Sequence, residues 1–355
     1  MKVLHVVGAR PNFMKAAPVL AALREHRAVH QALVHTGQHY DANMSGTFFE
    51  QLGMPQPDHN LEVGSGSHAR QTADIMVRFE QVALQEKPDL VLVYGDVNST
   101  VAAALVACKL GIPVGHVEAG LRSSDRTMPE EINRLLTDQL SSLLFTPSAD
   151  GDANLLREGV ARGKVHLVGN VMIDTLIRLL PQARNPNLPG LPERFVLVTL
   201  HRPSNVDDPA GLASLVRALA QTSQTIPVVF PIHPRTRQKI SQFNLGAATG
   251  GMLLTEPFGY LEFLWLQRHA AAIVTDSGGV QEESTYLQIP CLTLRTNTER
   301  PVTVELGTNI LIGSDTSRLE LELEKILAGN SKKGSIPPLW DGQAGKRIAA
   351  IVAGL

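Results

Sequence analysis

Short apolar runs recur along almost the whole of this 355-residue chain, alternating with amphipathic segments of helical length. The first set is VLHVVG (3–8), HQALVHTG (30–37), LVLVYGD (90–96), PVGHVEAG (113–120), LLFTPS (143–148) and VHLVGN (165–170). The second is FVLVTLH (195–201), PVVFPIH (227–233), MLLTEP (252–257), AAIVTDS (271–277) and CLTLR (291–295). Runs this short and this uniformly apolar fit strands buried on both faces. The segments between them, such as KAAPVLAALREH and ARQTADIMVRFEQVALQE, supply the helices that cover those faces. Strand–helix alternation of this kind specifies parallel βαβ units. The Pro- and Asn-rich stretch 181–194 separates the two sets, so the expectation is an α/β chain with two Rossmann-like domains, 1–170 and 171–340. The final run, WDGQAGKRIAAIVAGL, reads as a closing helix whose attachment the pattern leaves open.

The composition excludes several classes. A net charge of −2 argues against a nucleic-acid or membrane-surface binder, which would be basic. No window approaches the roughly 18 apolar residues needed to cross a bilayer. The N-terminal apolar run is too short for a signal segment and reads as a first strand. Cys108 and Cys291 are expected as buried thiols in a reducing cytoplasm, and no Cys/His cluster has the spacing of a metal site.

In open parallel sheets, ligands bind beyond the C-terminal strand ends, so polar residues there are the candidates. The first βα turn, VVGARPNFMK, places Arg10 and Lys15 around a helix start whose free N–H groups suit an anion. It is neither GxGxxG nor a Walker A loop. Asp96 follows an apolar strand, and the simplest reading is a cap for the next helix, with Asn98, Ser99 and Thr100 as competing caps. Glu118 ends the following strand, and neighbouring strands would bring both carboxylates to one sheet edge, as paired acid/base chemistry requires. Beyond it, T-M-P-E-E looks like a helix start at Pro129. There Glu130 and Glu131 suit the helix dipole, and Arg134 could pair with either at helical spacing. That reading does not account for Glu118 with Arg122 four residues later.

The second half opens similarly. His201 and Arg202 follow a buried strand directly, and His233 holds the equivalent place on the next. The stretch AAIVTDSGGVQEES carries the clearest phosphate signal. Ser277, Gly278 and Gly279 lead from a strand end into a helix, allowing close backbone approach to a diphosphate, and an acid lies one turn in. The bland alternative is a glycine-rich turn with a serine cap. Arg295, Glu299 and Arg300 follow another strand.

Together the segments GARPNFMK, TGQH, VYGDVNST, PVGHVEAGLR, PEEINR, LVTLHRP, FPIHP, VTDSGGVQEES, RTNTERP and WDGQAGKRI resemble the non-hydrolysing UDP-N-acetylglucosamine 2-epimerases, in the family's order and over essentially the whole chain. The resemblance implies two Rossmann-like domains in a GT-B arrangement, with the active site in the cleft and the helix at about 341–355 completing the first domain. It implies interconversion of UDP-GlcNAc and UDP-ManNAc through elimination of UDP to a 2-acetamidoglucal, with no metal or other cofactor. The family's catalytic positions fall on Asp96, Glu118, Glu130 and His201. Substrate positions fall on Arg10, Lys15, Arg134, Phe263, Ser277, Gly278, Gly279, Glu283 (ribose) and Arg300. An activator UDP-GlcNAc would match Gln38, Arg70, Arg202 and His233. The resemblance also implies a homodimer, while charge and hydropathy point to no nucleic-acid or membrane partner.

The chain departs from the family pattern at Asn12, where many members have Glu, at Ser204, at Tyr40, and in a shorter segment between Arg122 and Pro129. These departures bear on activator dependence and on the exact sugar. The competing readings are a 2-epimerase of a modified sugar such as a UDP-2,3-diacetamido-uronic acid, a GT-B glycosyltransferase, and a UDP-sugar sensor, which would not require the acid set.

Overall fold

The structure, a computed structural model, describes residues 1–38 and 49–355. Tyr40, among the departures, lies outside the described residues. Two compact units emerge, one formed by Met1–Thr175 together with Pro338–Leu355 and the other by Leu176–Pro337.

The first unit carries β1 (Lys2–Val7), β2 (His30–His35), β3 (His59–Asn60), β4 (Leu90–Tyr94), β5 (Val114–Val117), β6 (Leu143–Thr146) and β7 (Val165–Leu167). They form one parallel sheet in the order β3-β2-β1-β4-β5-β6-β7. The second unit carries β8 (Val196–Thr199), β9 (Val228–Pro231), β10 (Leu253–Thr255), β11 (Ala272–Thr275), β12 (Cys291–Thr293) and β13 (Asn309–Leu311). Its order is β10-β9-β8-β11-β12-β13, again all parallel. Each is the doubly wound Rossmann pattern, in which the strand order reverses beside the first strand. Every apolar run singled out above coincides with one of these strands, β1 alone beginning one residue before its run. The sequence reading missed β3 and β13, which are two and three residues long.

Alternation within the strands explains the two-sided burial. In β8, Val196 and Val198 pack with Leu215, Leu219 and Phe230 on one face, while Leu197 packs with Leu266 and Val280 on the other. In the first unit, Leu4, Val6, Val91 and Val93 pack against Phe79 and Ala103 from the covering helices. Truncating a fully buried ring such as Phe79 costs about 3–5 kcal/mol.

The closing helix Ala344–Ala353 packs on the helix Arg10–Leu23, which completes the first unit. Gly345 makes this approach possible, since a Cβ there would stand 2.7 Å from the Pro18 carbonyl oxygen. The Asp174 carboxylate accepts the N–H groups of Ala344 (3.2 Å) and Gly345 (2.7 Å) at the start of this helix. Pro18 lies inside the helix Arg10–Leu23 and has no N–H for the carbonyl of Met14; the Thr175 hydroxyl donates to it instead, at 2.6 Å. Among the described residues, no helix is long and apolar enough to cross a membrane.

Candidate functional site

Chain direction diverges at the points where strand order reverses, between β1 and β4 in the first unit and between β8 and β11 in the second. The loops part there and leave a crevice at the strand ends. The turns after β1, β4 and β5 carry the acids and cations of the first unit. The turns after β8 and β11 carry His201, Asp276 and Ser277 in the second.

In the first unit, Tyr94 pairs with Val117 across β4 and β5, so Asp96 and Glu118 leave adjacent strands almost in step. Lys15, on the helix Arg10–Leu23, reaches under the β4 turn, and its ammonium lies 2.7 Å from Oε1 of Glu118. Both side chains are buried. Gly95 is needed for this passage. It sits at φ +63°, and a Cβ there would stand 2.5 Å from the Lys15 ammonium. Glu118 itself takes the left-handed region, φ +74°. For a residue that is neither glycine, Asn nor Asp this costs on the order of 1–3 kcal/mol, and such outliers gather at functional sites. The turn is held because Glu118 and Ala119 both donate their N–H to the Phe145 carbonyl, at 3.1 and 3.0 Å.

Asp96 is not the cap that the sequence suggests. Val97 is the N-cap of the helix Asn98–Lys109, and the Asp96 carboxylate instead meets the Arg134 guanidinium. Arg134 is buried and forked: it also donates to Oε2 of Glu131, from Nε at 2.9 Å and Nη2 at 2.7 Å. Glu131 is more than a dipole partner. It accepts the N–H groups of Ser123 (3.0 Å) and Ser124 (2.8 Å), and so ties down the shortened loop. Burial opposes ionisation of Glu131, but the Ser123 N–H and Arg134 outweigh it and hold the carboxyl below its usual range. Glu130, one position earlier, is partly exposed and has no ion-pair partner among the described residues.

Other expectations need correction. Arg122 does not turn to Glu118; it pairs with Asp138 at 2.7 Å and with Glu158 at 2.7 Å. The first βα turn does not offer a row of free N–H groups. The N–H groups of Gly8 and Ala9 both donate to Oδ1 of Asn12 at 3.1 Å, and Pro11 has none. The Asn12 amide in turn donates to the Tyr94 carbonyl at 2.7 Å, so this departure from the family pattern binds the β1 turn to the β4 end. Arg10 is exposed beside that turn. Cys108 is exposed, whereas Cys291 is buried.

Two residues went unnoticed in the sequence. His116, in β5, is fully buried between the Asp138 carboxylate (Nδ1 to Oδ1, 2.6 Å) and the Gly95 carbonyl (Nε2 to O, 2.8 Å). A histidine and an acid 22 positions apart carry no local signal; only the strand register and the helix Pro129–Leu140 bring them together.

Of the activator positions in this unit, Gln38 is buried, and its side-chain oxygen accepts from the Ser99 hydroxyl (2.7 Å) and N–H (3.2 Å). Arg70 points to solvent and pairs with Asp74 at 2.7 Å. Its neighbour Gln71 is the residue that touches Gln38, through the Gln38 carbonyl at 3.3 Å.

In the second unit Asp276 organises the β8 turn. Its buried carboxylate accepts the N–H groups of His201 (3.0 Å) and Arg202 (2.9 Å) and the Asn205 amide (3.1 Å). It also pairs with His201 Nδ1 at 2.8 Å. Burial opposes the charge on Asp276, yet His201 and these donors hold the carboxyl below its usual range. His201 lines an open pocket with His233, Pro231, Phe258 and Phe263. His233 caps the helix Pro234–Gln242, its Nδ1 accepting from the Arg235 N–H at 3.2 Å. Arg202 donates from Nε to the Asp276 carbonyl at 3.0 Å.

Ser277 does not cap the helix Gly278–Leu287 with its side chain. The Arg300 guanidinium lies against Gly278 at that helix start and pairs with Glu282 at 3.0 Å and with Glu299. Gly279 is the next residue of the same helix turn. Glu283 is buried, receiving the Tyr260 hydroxyl (2.8 Å) and the Gln267 amide (2.5 Å). Burial pushes its carboxyl up, against those two donors. Among the described residues no group of three His, Cys, Asp or Glu side chains is placed to hold a metal ion.

A sequence model of the UDP-N-acetylglucosamine 2-epimerase family matches residues 21–353. The UDP-N-acetylglucosamine 2-epimerase of Methanocaldococcus jannaschii is 44% identical over 364 residues, covering 99% of both chains. The UDP-2,3-diacetamido-2,3-dideoxy-D-glucuronate 2-epimerase of Pseudomonas aeruginosa is also 44% identical, over the full length of both. The crystal structure of the M. jannaschii enzyme in complex with UDP-GlcNAc and UDP matches the whole chain with a TM-score of 0.92. That of the Neisseria meningitidis enzyme bound to UDP-GlcNAc matches with 0.91 at 32% identity. The motifs, the two doubly wound sheets and these full-length likenesses agree: the chain belongs to the UDP-N-acetylglucosamine 2-epimerase family.

Proposed function

We propose that this protein inverts C2 of UDP-N-acetylglucosamine, interconverting it with UDP-N-acetylmannosamine. The observation that carries the reading is the pair of carboxylates at neighbouring strand ends, each set against a buried cation: Glu118 with Lys15, and Asp96 with Arg134. The C2 proton is not next to a carbonyl, so its direct removal is slow. Breaking the anomeric C1–O bond first leaves an oxocarbenium-like centre and acidifies C2. A carboxylate then takes the C2 proton, giving UDP and 2-acetamidoglucal. In the return step UDP adds back to C1 while an acid delivers a proton to the opposite face of C2. Asp96, Glu118 and Glu130 are the groups for these transfers, with His201 in support.

Departure of UDP needs donors and cations. In this reading Arg10, Lys15 and Arg134 serve the phosphates and the reacting centre in the first unit. The Ser277–Gly278–Gly279 turn, with Arg300, receives the diphosphate in the second. Phe263 lines the nucleotide pocket, and Glu283, fixed by Tyr260 and Gln267, meets the ribose. An activator UDP-GlcNAc would meet Gln38, Arg70, Arg202 and His233. The protein acts as a homodimer, and the nucleotide-sugar substrate fits a cytoplasmic setting.

A second reading is favoured by the P. aeruginosa relative: 2-epimerisation of a UDP-2,3-diacetamido-uronic acid. Incubating the protein with each UDP-sugar in D₂O, followed by NMR at C2, separates the two. The expected result is deuterium at C2 and a mixture of C2 epimers from UDP-GlcNAc. No exchange with either sugar overturns the epimerase reading.

A further inference from the structure

The turns that carry Asp96 and Glu118 are joined below the crevice by His116 and Asp138. His116 Nε2 lies 2.8 Å from the Gly95 carbonyl oxygen, which can only accept. The N–H at Nε2 is therefore the donor. His116 Nδ1 lies 2.6 Å from Oδ1 of Asp138. The other oxygen of that carboxylate accepts the Gly120 N–H at 3.1 Å and meets the Arg122 guanidinium at 2.7 Å. Burial opposes the charge on Asp138, but His116 and then Arg122 outweigh it and hold the carboxyl below its usual range. One proton lies between His116 Nδ1 and Asp138 Oδ1, so the ring bridges the Gly95 carbonyl and the Asp138 carboxyl group.

Gly95 precedes Asp96, and its N–H donates to the Val117 carbonyl at 2.9 Å. Gly120 lies two residues past Glu118, at φ +80°. One buried dyad thus grips the backbone on the near side of one acid and on the far side of the other. We propose that His116 and Asp138 are positioning residues for the epimerisation, the hydrogen-bonded pair clamping the Asp96 and Glu118 turns in a single geometry. The proposal rests on the epimerase reading for its effect on rate, but the hydrogen bonds of the clamp do not depend on it.

The test uses the full chain labelled with ¹⁵N-histidine. The His116 ring, assigned by its loss in His116→Gln, shows a proton on Nε2 that is hydrogen-bonded and slow to exchange. A bare Nε2, or an Nε2 proton that exchanges freely with solvent, overturns the proposal. Asp138→Asn lowers kcat for C2 exchange by about tenfold or more, since small misplacements of reacting groups are costly. Its KM stays within about threefold, because the pair touches no substrate. A folded Asp138→Asn protein with wild-type kcat overturns the proposal. If that variant does not fold, the ring measurement decides. A wild-type protein inert toward both UDP-sugars sinks the epimerase reading instead, and the ring measurement still shows whether the clamp exists.

Discussion

The ammonium of Lys15 lies 2.7 Å from a carboxylate oxygen of Glu118, with both side chains buried and the glutamate backbone in the left-handed region. A buried ion pair of this kind is poor evidence for stability, since well-packed apolar residues would often do as well. Its coincidence with a strained backbone at a strand end points to chemistry.

Removing one partner of this pair should be worse for stability than removing both. Glu118→Gln or Lys15→Met alone leaves a buried group without its counterpart and should cost about 3–5 kcal/mol. The double variant should recover a large part of that in urea unfolding, as expected for residues in direct contact. It should not recover activity: C2 exchange should remain down by about 10²–10⁴. Additive stability losses would show that the two side chains do not act as a pair.

Arg134 grips Asp96 and Glu131 with one planar fork. Lysine keeps the charge but not the fork. Arg134→Lys should therefore lower kcat by roughly 10–100-fold, in line with loss of placed groups at a reacting centre. The Ser123–Ser124 loop, anchored on Glu131, should become more open to proteolysis. Wild-type kinetics in this variant would show that charge alone suffices.

Asp276 holds His201 by its ring and by its backbone N–H. Asp276→Asn keeps the shape and loses the charge that orients the imidazole. The expected result is a fall in kcat of about tenfold or more with a folded protein by circular dichroism. Removing the same charge should also destabilise the chain by about 1–3 kcal/mol, because the donors around it lose a charged acceptor. An unchanged kcat would remove His201 from the mechanism or Asp276 from its support.

Asp174 makes the attachment of the closing helix sensitive to pH. Burial pushes its carboxyl up to about 6, opposed by the N–H groups of Gly345 and Ala344. Between about pH 4 and this value the folded chain holds a proton that the unfolded chain has lost. The stabilisation from that proton is fully present below about pH 4 and is lost as pH rises through about 6, by up to about 3 kcal/mol. Asp174→Asn cannot ionise, so its stability relative to wild type should rise over this window in thermal unfolding. A constant difference between the two proteins across pH 4–7 would contradict the assignment.

The strands were legible because each is a short apolar run, and burial on both faces leaves no room for polar residues within it. The two short edge strands were not, because His59–Asn60 and Asn309–Leu311 are too brief to show a pattern. Residues just past strand ends were legible as candidates, since a parallel sheet directs ligands there. The partners of those residues were not. Asp96 reads as a cap until the helix Pro129–Leu140 presents Arg134 to it, and Arg122 reads as a companion of Glu118 until Asp138 captures it.

Sequence alone therefore determined the α/β class, the two sets of βαβ units, the family, and the strand ends at which to look. Those properties follow from apolar periodicity and local motifs, which act over a few residues. Tertiary structure alone decided which charges meet. Lys15 and Glu118 are 103 positions apart, and His201 and Asp276 are 75. Ion pairing depends on distance through space, and only the parallel register of the sheets and the packing of helices on them bring such residues within 3 Å. The same packing let His116 and Asp138, silent in the sequence, join the two turns that carry the acids.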